Sequence, residues 1–158
     1  MKNLKKMFAV LTVSLAALSL FGCNSKVEEK VIDDNNNAIN PWVEVADITK
    51  AIEKVGFDFA IPEDINGNKI SLVRVMSDEM IEIRYGDDII VRKSKGNEDN
   101  SGDLNNYDIV KEENGFTLKG NDDTYNCITW NKDNYSYSIT TSNGLSLSDV
   151  ADTVNAIK

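Results

Sequence analysis

Histidine is absent from all 158 residues, and that one gap removes whole classes of chemistry. A Ser-His-Asp or Cys-His nucleophilic site has no base here, and no zinc site can be built on imidazole. Cysteine is nearly as scarce, with only Cys23 and Cys127. Positive charge is short too: 17 Lys and Arg stand against 26 Asp and Glu, a net charge of −9. So acidic a surface argues against nucleic acid as a partner, and against electrostatic attraction to anionic lipid.

What is present begins with a secretion signal. Lys2, Lys5 and Lys6 form a positive start, and no acid occurs before Glu28. Met7 to Phe21 is an apolar run diluted only by Thr12, Ser14 and Ser19. That is the layout of a secretory signal, and the run is short of the roughly 20 residues a spanning helix needs. It ends in Leu20-Phe21-Gly22-Cys23.

These four residues resemble the lipobox of bacterial lipoproteins, with Phe21 bulkier than usual at the middle position. The resemblance implies cleavage between Gly22 and Cys23, and a diacylglycerol on the Cys23 thiol. Further acylation, of the palmitate type, would follow. Two acyl chains anchor stably where one is marginal. Residues 1–22 are therefore expected to be removed. Three lysines and no acid leave with them, taking the net charge from −9 to −12. With Cys23 lipidated, Cys127 is the only thiol, and stability must come from a core rather than from disulfides.

Residues 23–40 read as the lipidated Cys followed by an acidic, Asn-rich tether without periodicity. A flexible chain of that length spans roughly 20–25 Å. The roughly 115 residues that follow are enough for one domain, 41–158, and too few for two. Ile48, Ala51, Ile52 and Val55 predict a helix, with Asp47 as its N-cap and Gly56 just past its end.

Strand patterns then follow in series: Phe57 and Phe59 around Asp58, Lys69–Met76, Met80–Tyr85 and Ile89–Lys93. A polar loop, residues 95–106, precedes Tyr107–Lys111, Gly115–Lys119, Thr124–Trp130 and Tyr135–Thr141. The chain closes on a helix signal in which Ser146 and Asp149 make a capping box. Its apolar stripe is Leu147, Val150, Ala151, Val154 and Ile157. The expected fold is α+β: a meandering antiparallel sheet with an N-terminal and a C-terminal helix packed on one face.

The order of Gly56-Phe57, Pro62-Glu63, Gly96-Asn97-Glu98-Asp99, Ser101-Gly102-Asp103, Tyr107, Leu118-Lys119-Gly120 and Trp130 with Tyr135-Ser136-Tyr137 resembles a family of small uncharacterised bacterial lipoproteins. Similar domains occur on the outer side of anti-sigma-type regulators, and they look like relatives of half-barrel lipoprotein-handling folds. The resemblance covers roughly Asn40 to Lys158 and implies a binding or sensing module rather than an enzyme.

Three features invite chemistry. Asn97, Asp99, Ser101 and Asp103 offer oxygens at alternate positions, as calcium loops do, yet the twelfth position from Asn97 is Asp108 rather than a bidentate Glu. A solvated turn capped by Asx hydrogen bonds accounts for them better. Trp130, Tyr135 and Tyr137 could stack on a ligand, although aromatics at alternate strand positions more often form cross-strand pairs. Cys127, with no histidine to activate it, reads as a small buried hydrophobe. The carboxylate pairs Glu63-Asp64, Asp87-Asp88 and Asp122-Asp123 sit in turns beside Gly or Asn.

The expectation is a monomeric lipoprotein anchored on the outer face of the bacterial cytoplasmic membrane. It would bind a peptide, lipid or envelope-protein partner and need no cofactor. The alternatives are a carboxylate-dependent cell-wall hydrolase and an accessory subunit of an envelope complex. Two carboxylates converging in a deep cleft would favour the hydrolase. An apolar groove between sheet and helix would favour the binder.

Overall fold

The computed structural model describes residues 40–158. Gly22, Cys23 and most of the expected tether lie outside the described residues. Among the described residues, no helix is long and apolar enough to cross a membrane.

Both helices are delimited by their caps. Helix α1 (Ile48–Val55) starts where the Asp47 carboxylate accepts the Lys50 N–H at 2.9 Å. It ends at Gly56, whose φ of 76° suits a residue without Cβ and whose N–H returns to the Ile52 carbonyl. Helix α2 (Leu147–Ala156) carries the complete capping box: Ser146 Oγ accepts the Asp149 N–H, and the Asp149 carboxylate accepts the Ser146 N–H.

The strands are β1 (Trp42–Val45), β2 (Asp64–Ile65), β3 (Asn68–Met76), β4 (Met80–Tyr85), β5 (Ile89–Lys95), β6 (Ile109–Glu113), β7 (Phe116–Asn121), β8 (Thr124–Lys132) and β9 (Tyr135–Leu145). Two-residue turns join the tightest hairpins. Asp133-Asn134 and Asn114-Gly115 adopt the paired positive φ that such turns require. Among the described residues the sheet order is β1-β3-β4-β5-β9-β8-β7-β6, with β2 paired only to β3, and every pairing is antiparallel. It is thus two meanders meeting at β5 and β9, open at β1 and β6.

One face of the sheet is apolar and carries both helices. Val73, Val75, Ile81, Ile83, Val91, Ile128 and Ile139 are buried there in one cluster with Ala51 and Val55 of α1 and Val150 of α2. The opposite face is polar. Residues 96–108 run from the end of β5 to the far edge strand, so they must cross the β9-β8-β7 half of that face. They do so as a packed strap. Asn100 donates to Ser94 Oγ and to the Ser136 carbonyl, and both Asn100 and Ser101 are buried. The expected solvated turn is therefore half right: its Asx caps form, but its centre is buried by the crossover.

Other sequence expectations shift at their ends. Strand β6 starts at Ile109 rather than Tyr107, and β9 runs on to Leu145. Phe57 and Phe59 are buried as the alternation implied, yet residues 57–59 form no strand. Next to them, Ala60 exchanges both backbone hydrogen bonds with Lys158. Strand β1 carried no recognised signal; at four residues it is too short to show a period.

Lys93 is the surprise of the core face. Its ammonium donates to the Asp58 carbonyl at 2.6 Å and lies 4.6 and 5.1 Å from the ring centroids of Tyr135 and Tyr137, with Phe57 and Phe59 also near. Burial pushes its pKa below the ordinary 10.5. Above the folded-state pKa the native chain has lost a proton that the unfolded chain still holds, so stability rises with pH up to about 10.5. Lys93→Met keeps the volume and removes this charge. Compared with the variant, the parent should gain stability on titration toward pH 10.5, as read by denaturant midpoints. Parallel curves would show that Lys93 is not desolvated.

Candidate functional site

The apolar stripe of α2 is wider than the sheet surface beneath it. Helix α2 lies over β8 and β9. Val150 and, just past the helix end, Ile157 are buried, but Leu147 is 47% exposed and Ala151 is exposed. Their side of the helix faces Phe116 and Leu118, which project from β7 on the core face one strand beyond the covered part. Between them runs a groove of about 440 Å³. Its polar lining consists of Glu113, Asn114 and Asn155, and the rest is apolar. That is the size and character of a ligand site, roughly 300–1,000 Å³ with few polar groups. The expectation that the whole stripe covers the sheet is corrected: α2 packs mainly on β8 and β9, and its Leu147 and Ala151 side is left open beside β7.

The acids predicted as possible metal ligands do not converge. The Asp99 carboxylate accepts the Ser101 N–H at 2.8 Å and sits 3.5 Å from the Lys119 ammonium. Asp103 accepts the Asn105 N–H, while Ser101 Oγ accepts the Asp103 N–H. Burial opposes ionisation of Asp99, yet these bonds hold its carboxyl below the usual range. Asn97 gives its carbonyl to the Asn131 amide. Among the described residues, no group of three or more His, Cys, Asp or Glu side chains could hold a metal ion.

The predicted ligand aromatics belong to the core. Trp130 stacks on Tyr137 at 5.1 Å and 7°, directly opposite it in register, and Phe116 tilts against Trp130 at 5.6 Å. Tyr135 packs on Phe57 at 5.1 Å, and Tyr137 is buried. Trp130 and Tyr135 stay partly exposed, but each already packs on a neighbouring ring. Cys127 is a buried free thiol whose pKa burial pushes up to about 11, so it is held as the unreactive thiol.

Two carboxylates do share a polar pocket of about 300 Å³, Asp88 and Asp103, with Arg92 and Tyr107. Asp88 accepts the hydroxyls of Thr141 and Ser142 and the Ser142 N–H. Burial raises both carboxyl pKa values, but hydrogen bonds outweigh it, and each lies below its ordinary value. A glycoside hydrolase needs one carboxyl raised, to serve as the acid. This pair lacks that asymmetry.

The most densely ionic cluster went unrecognised in the sequence. Glu82 is fully buried on the polar face, and all three arginines of the chain bind it. Arg74 and Arg84 reach Oε1 at 2.7 and 3.0 Å, and Arg92 reaches Oε2 at 2.8 Å. Arg92 also donates to the Asn100 and Ser101 carbonyls of the strap, and Arg74 lies 4.4 Å from the Trp42 ring centroid. Its signal was in plain view, since a chain with three arginines places them all on adjacent strands. Every Glu82 oxygen is taken, so the cluster ties β1, β3, β4, β5 and the strap together. No protein-family model matches the chain, and neither curated proteins nor solved structures yield a match.

Proposed function

We propose that the chain is a lipid-anchored extracytoplasmic binding module, whose groove between α2 and β7 holds an apolar segment of an envelope-protein partner. The carrying observation is the half-covered stripe of α2 facing Phe116 and Leu118 across about 440 Å³. Exposed apolar side chains cost solubility, and one that persists beside a pocket is the ordinary mark of an interaction site. The anchor rests on Leu20-Phe21-Gly22-Cys23, and the likeness to small bacterial lipoproteins remains part of this proposal. Against the hydrolase stands the Asp88 and Asp103 pair, in which neither carboxyl is poised as an acid.

Two measurements test this reading. A photo-crosslinking side chain at Leu147 of the anchored protein should give a discrete adduct in native membranes. The same group at Leu104, which is 95% exposed on the strap, should give none. Matching adducts at both sites, or none at Leu147, would remove the groove from the account. In parallel, Cys23→Ser should abolish incorporation of a tagged fatty acid, and equal labelling of parent and variant would remove the anchor.

A further inference from the structure

We infer that the partner segment is an extended, basic, alternating peptide that pairs with the free edge of β6 and lays every second side chain on the core face, beside the groove. This rests on the groove reading and names the chemistry of its occupant. Among the described residues, strand β6 pairs only with β7 and ends the sheet. Its outer backbone groups therefore have no strand partner among the described residues, which is the template for strand addition. The geometry then follows from register. Lys111 and Glu113 of β6 stand opposite Leu118 and Phe116, so those four share the core face. A strand added about 4.8 Å beyond β6 continues that row, so its inward side chains meet Lys111 and Glu113 and flank the rim of the groove that Phe116, Leu118 and Leu147 line.

Charge selects the occupant. Lys111 is already paired with Glu113 at 2.9 Å, which leaves Glu112 in excess along the edge, and the chain as a whole carries −9. A second copy would bring the same acidic edge and the same net charge, so like-charge repulsion disfavours self-pairing. A peptide alternating apolar residues with Lys or Arg sets the former over the Lys111 stem at the groove rim and the latter beside Glu112. Val110, 63% exposed on the opposite face of β6, offers such a strand further apolar contact.

The test uses the anchored full chain on phosphatidylcholine vesicles and a fluorescent peptide alternating valine and lysine, followed by anisotropy. Binding should be saturable and weaken with salt. Replacing lysine by glutamate in the peptide should weaken it about tenfold, as should Glu112→Lys with Glu113→Lys in the protein. N-methylation of alternate peptide nitrogens, made in both registers, should abolish binding in the register that faces β6.

If both methylated peptides bind like the parent, strand pairing is overturned while the groove reading stands. Equal binding of the glutamate peptide overturns the basic occupant. Should no peptide bind while the Leu147 crosslink still forms, this inference fails alone. Should both fail, the proposed function falls with it. Dimerisation through β6 without peptide, seen by sedimentation and lost in the Glu112→Lys, Glu113→Lys variant, would identify a second copy as the occupant and overturn the peptide.

Discussion

Glu82→Gln is expected to lower the stability of the domain by about 3–5 kcal/mol, the usual cost of removing one partner from a buried ion pair. A domain of this size has only about 5–15 kcal/mol in total. The reason lies in the count. One carboxylate satisfies Arg74, Arg84 and Arg92, so its loss leaves three guanidiniums crowded on adjacent strands without a counter-charge. Arg92 would also lose its orientation toward the Asn100 and Ser101 carbonyls, loosening the strap.

Arg84→Met should cost far less. That side chain is 39% exposed, and water screens what remains. Replacing Glu82, Arg74 and Arg92 together by leucine should recover part of the loss, since apolar side chains of similar volume can substitute for a buried ionic group. Urea denaturation of the three variants decides the matter. A loss below about 1 kcal/mol for Glu82→Gln would show that the cluster is hydrated rather than buried.

The same residue shapes the acid limb of stability. Burial raises the Glu82 pKa, but the hydrogen bonds from Arg74, Arg84 and Arg92 prevail and hold it below its ordinary 4.5. The unfolded chain therefore takes up the proton first. Its contribution is present above about pH 4.5 and is lost as pH falls through the folded-state pKa. Glu82→Gln should consequently flatten the acid decline of the parent.

Gly120→Ala is expected to cost about 3 kcal/mol or more, the upper range for overpacking. Opposite Gly120 the β7–β8 ladder slips by one residue, so that Lys119 faces Cys127 while Gly120 faces Tyr125. A methyl on Gly120 would run into the Thr124 carbonyl oxygen and stand 2.8 Å from the Tyr125 Cα. Both are backbone atoms and cannot swing aside. Relief would have to displace β8 at the bulge, where the Asn126 amide holds the Thr141 and Ser142 carbonyls at 3.1 Å each.

Gly115→Ala provides the contrast. Its φ of 84° is unfavourable for a side chain, but nothing lies within 4 Å, so about 1–2 kcal/mol should suffice. Equal denaturation midpoints for the two variants would mean that the β7–β8 approach is looser than described. Because Gly120 also pairs with Ile109, its replacement should disturb β6 along with stability.

How much of this was readable in advance follows from range. Helix α1 was legible because Asp47, Ile48, Ala51, Ile52, Val55 and Gly56 specify cap, face and stop within ten residues. Helix α2 was legible through Ser146 and Asp149 for the same reason. The hairpin at Asp133-Asn134 and the alternation of Tyr135, Tyr137 and Ile139 are equally local. Strand β4 matched its expected limits, Met80–Tyr85, since both faces of its pattern fall within six residues.

What depends on partners far along the chain was not legible. The sequence shows Glu82 as a polar residue on the outer face of a strand. Only pairing β3, β4 and β5 side by side surrounds it with three arginines. Likewise, residues 96–108 look like a solvated loop until β5 is seen to pair with β9, which forces the chain across the sheet and buries Asn100 and Ser101. Lys93 alternates as a surface residue would, yet residues 56–62 fold over it.

By itself, then, the sequence determined the class α+β, the two capped helices, most hairpins and the lack of histidine-based chemistry. Each follows from nearest-neighbour sterics, hydrogen bonding or composition. Tertiary structure alone decided the strand order, the ionic cluster and the groove. The stripe of Leu147, Val150, Ala151, Val154 and Ile157 states how much apolar surface α2 carries. Where the helix docks states how much of it remains open, and docking is set by contacts with β8 and β9 that no local pattern encodes.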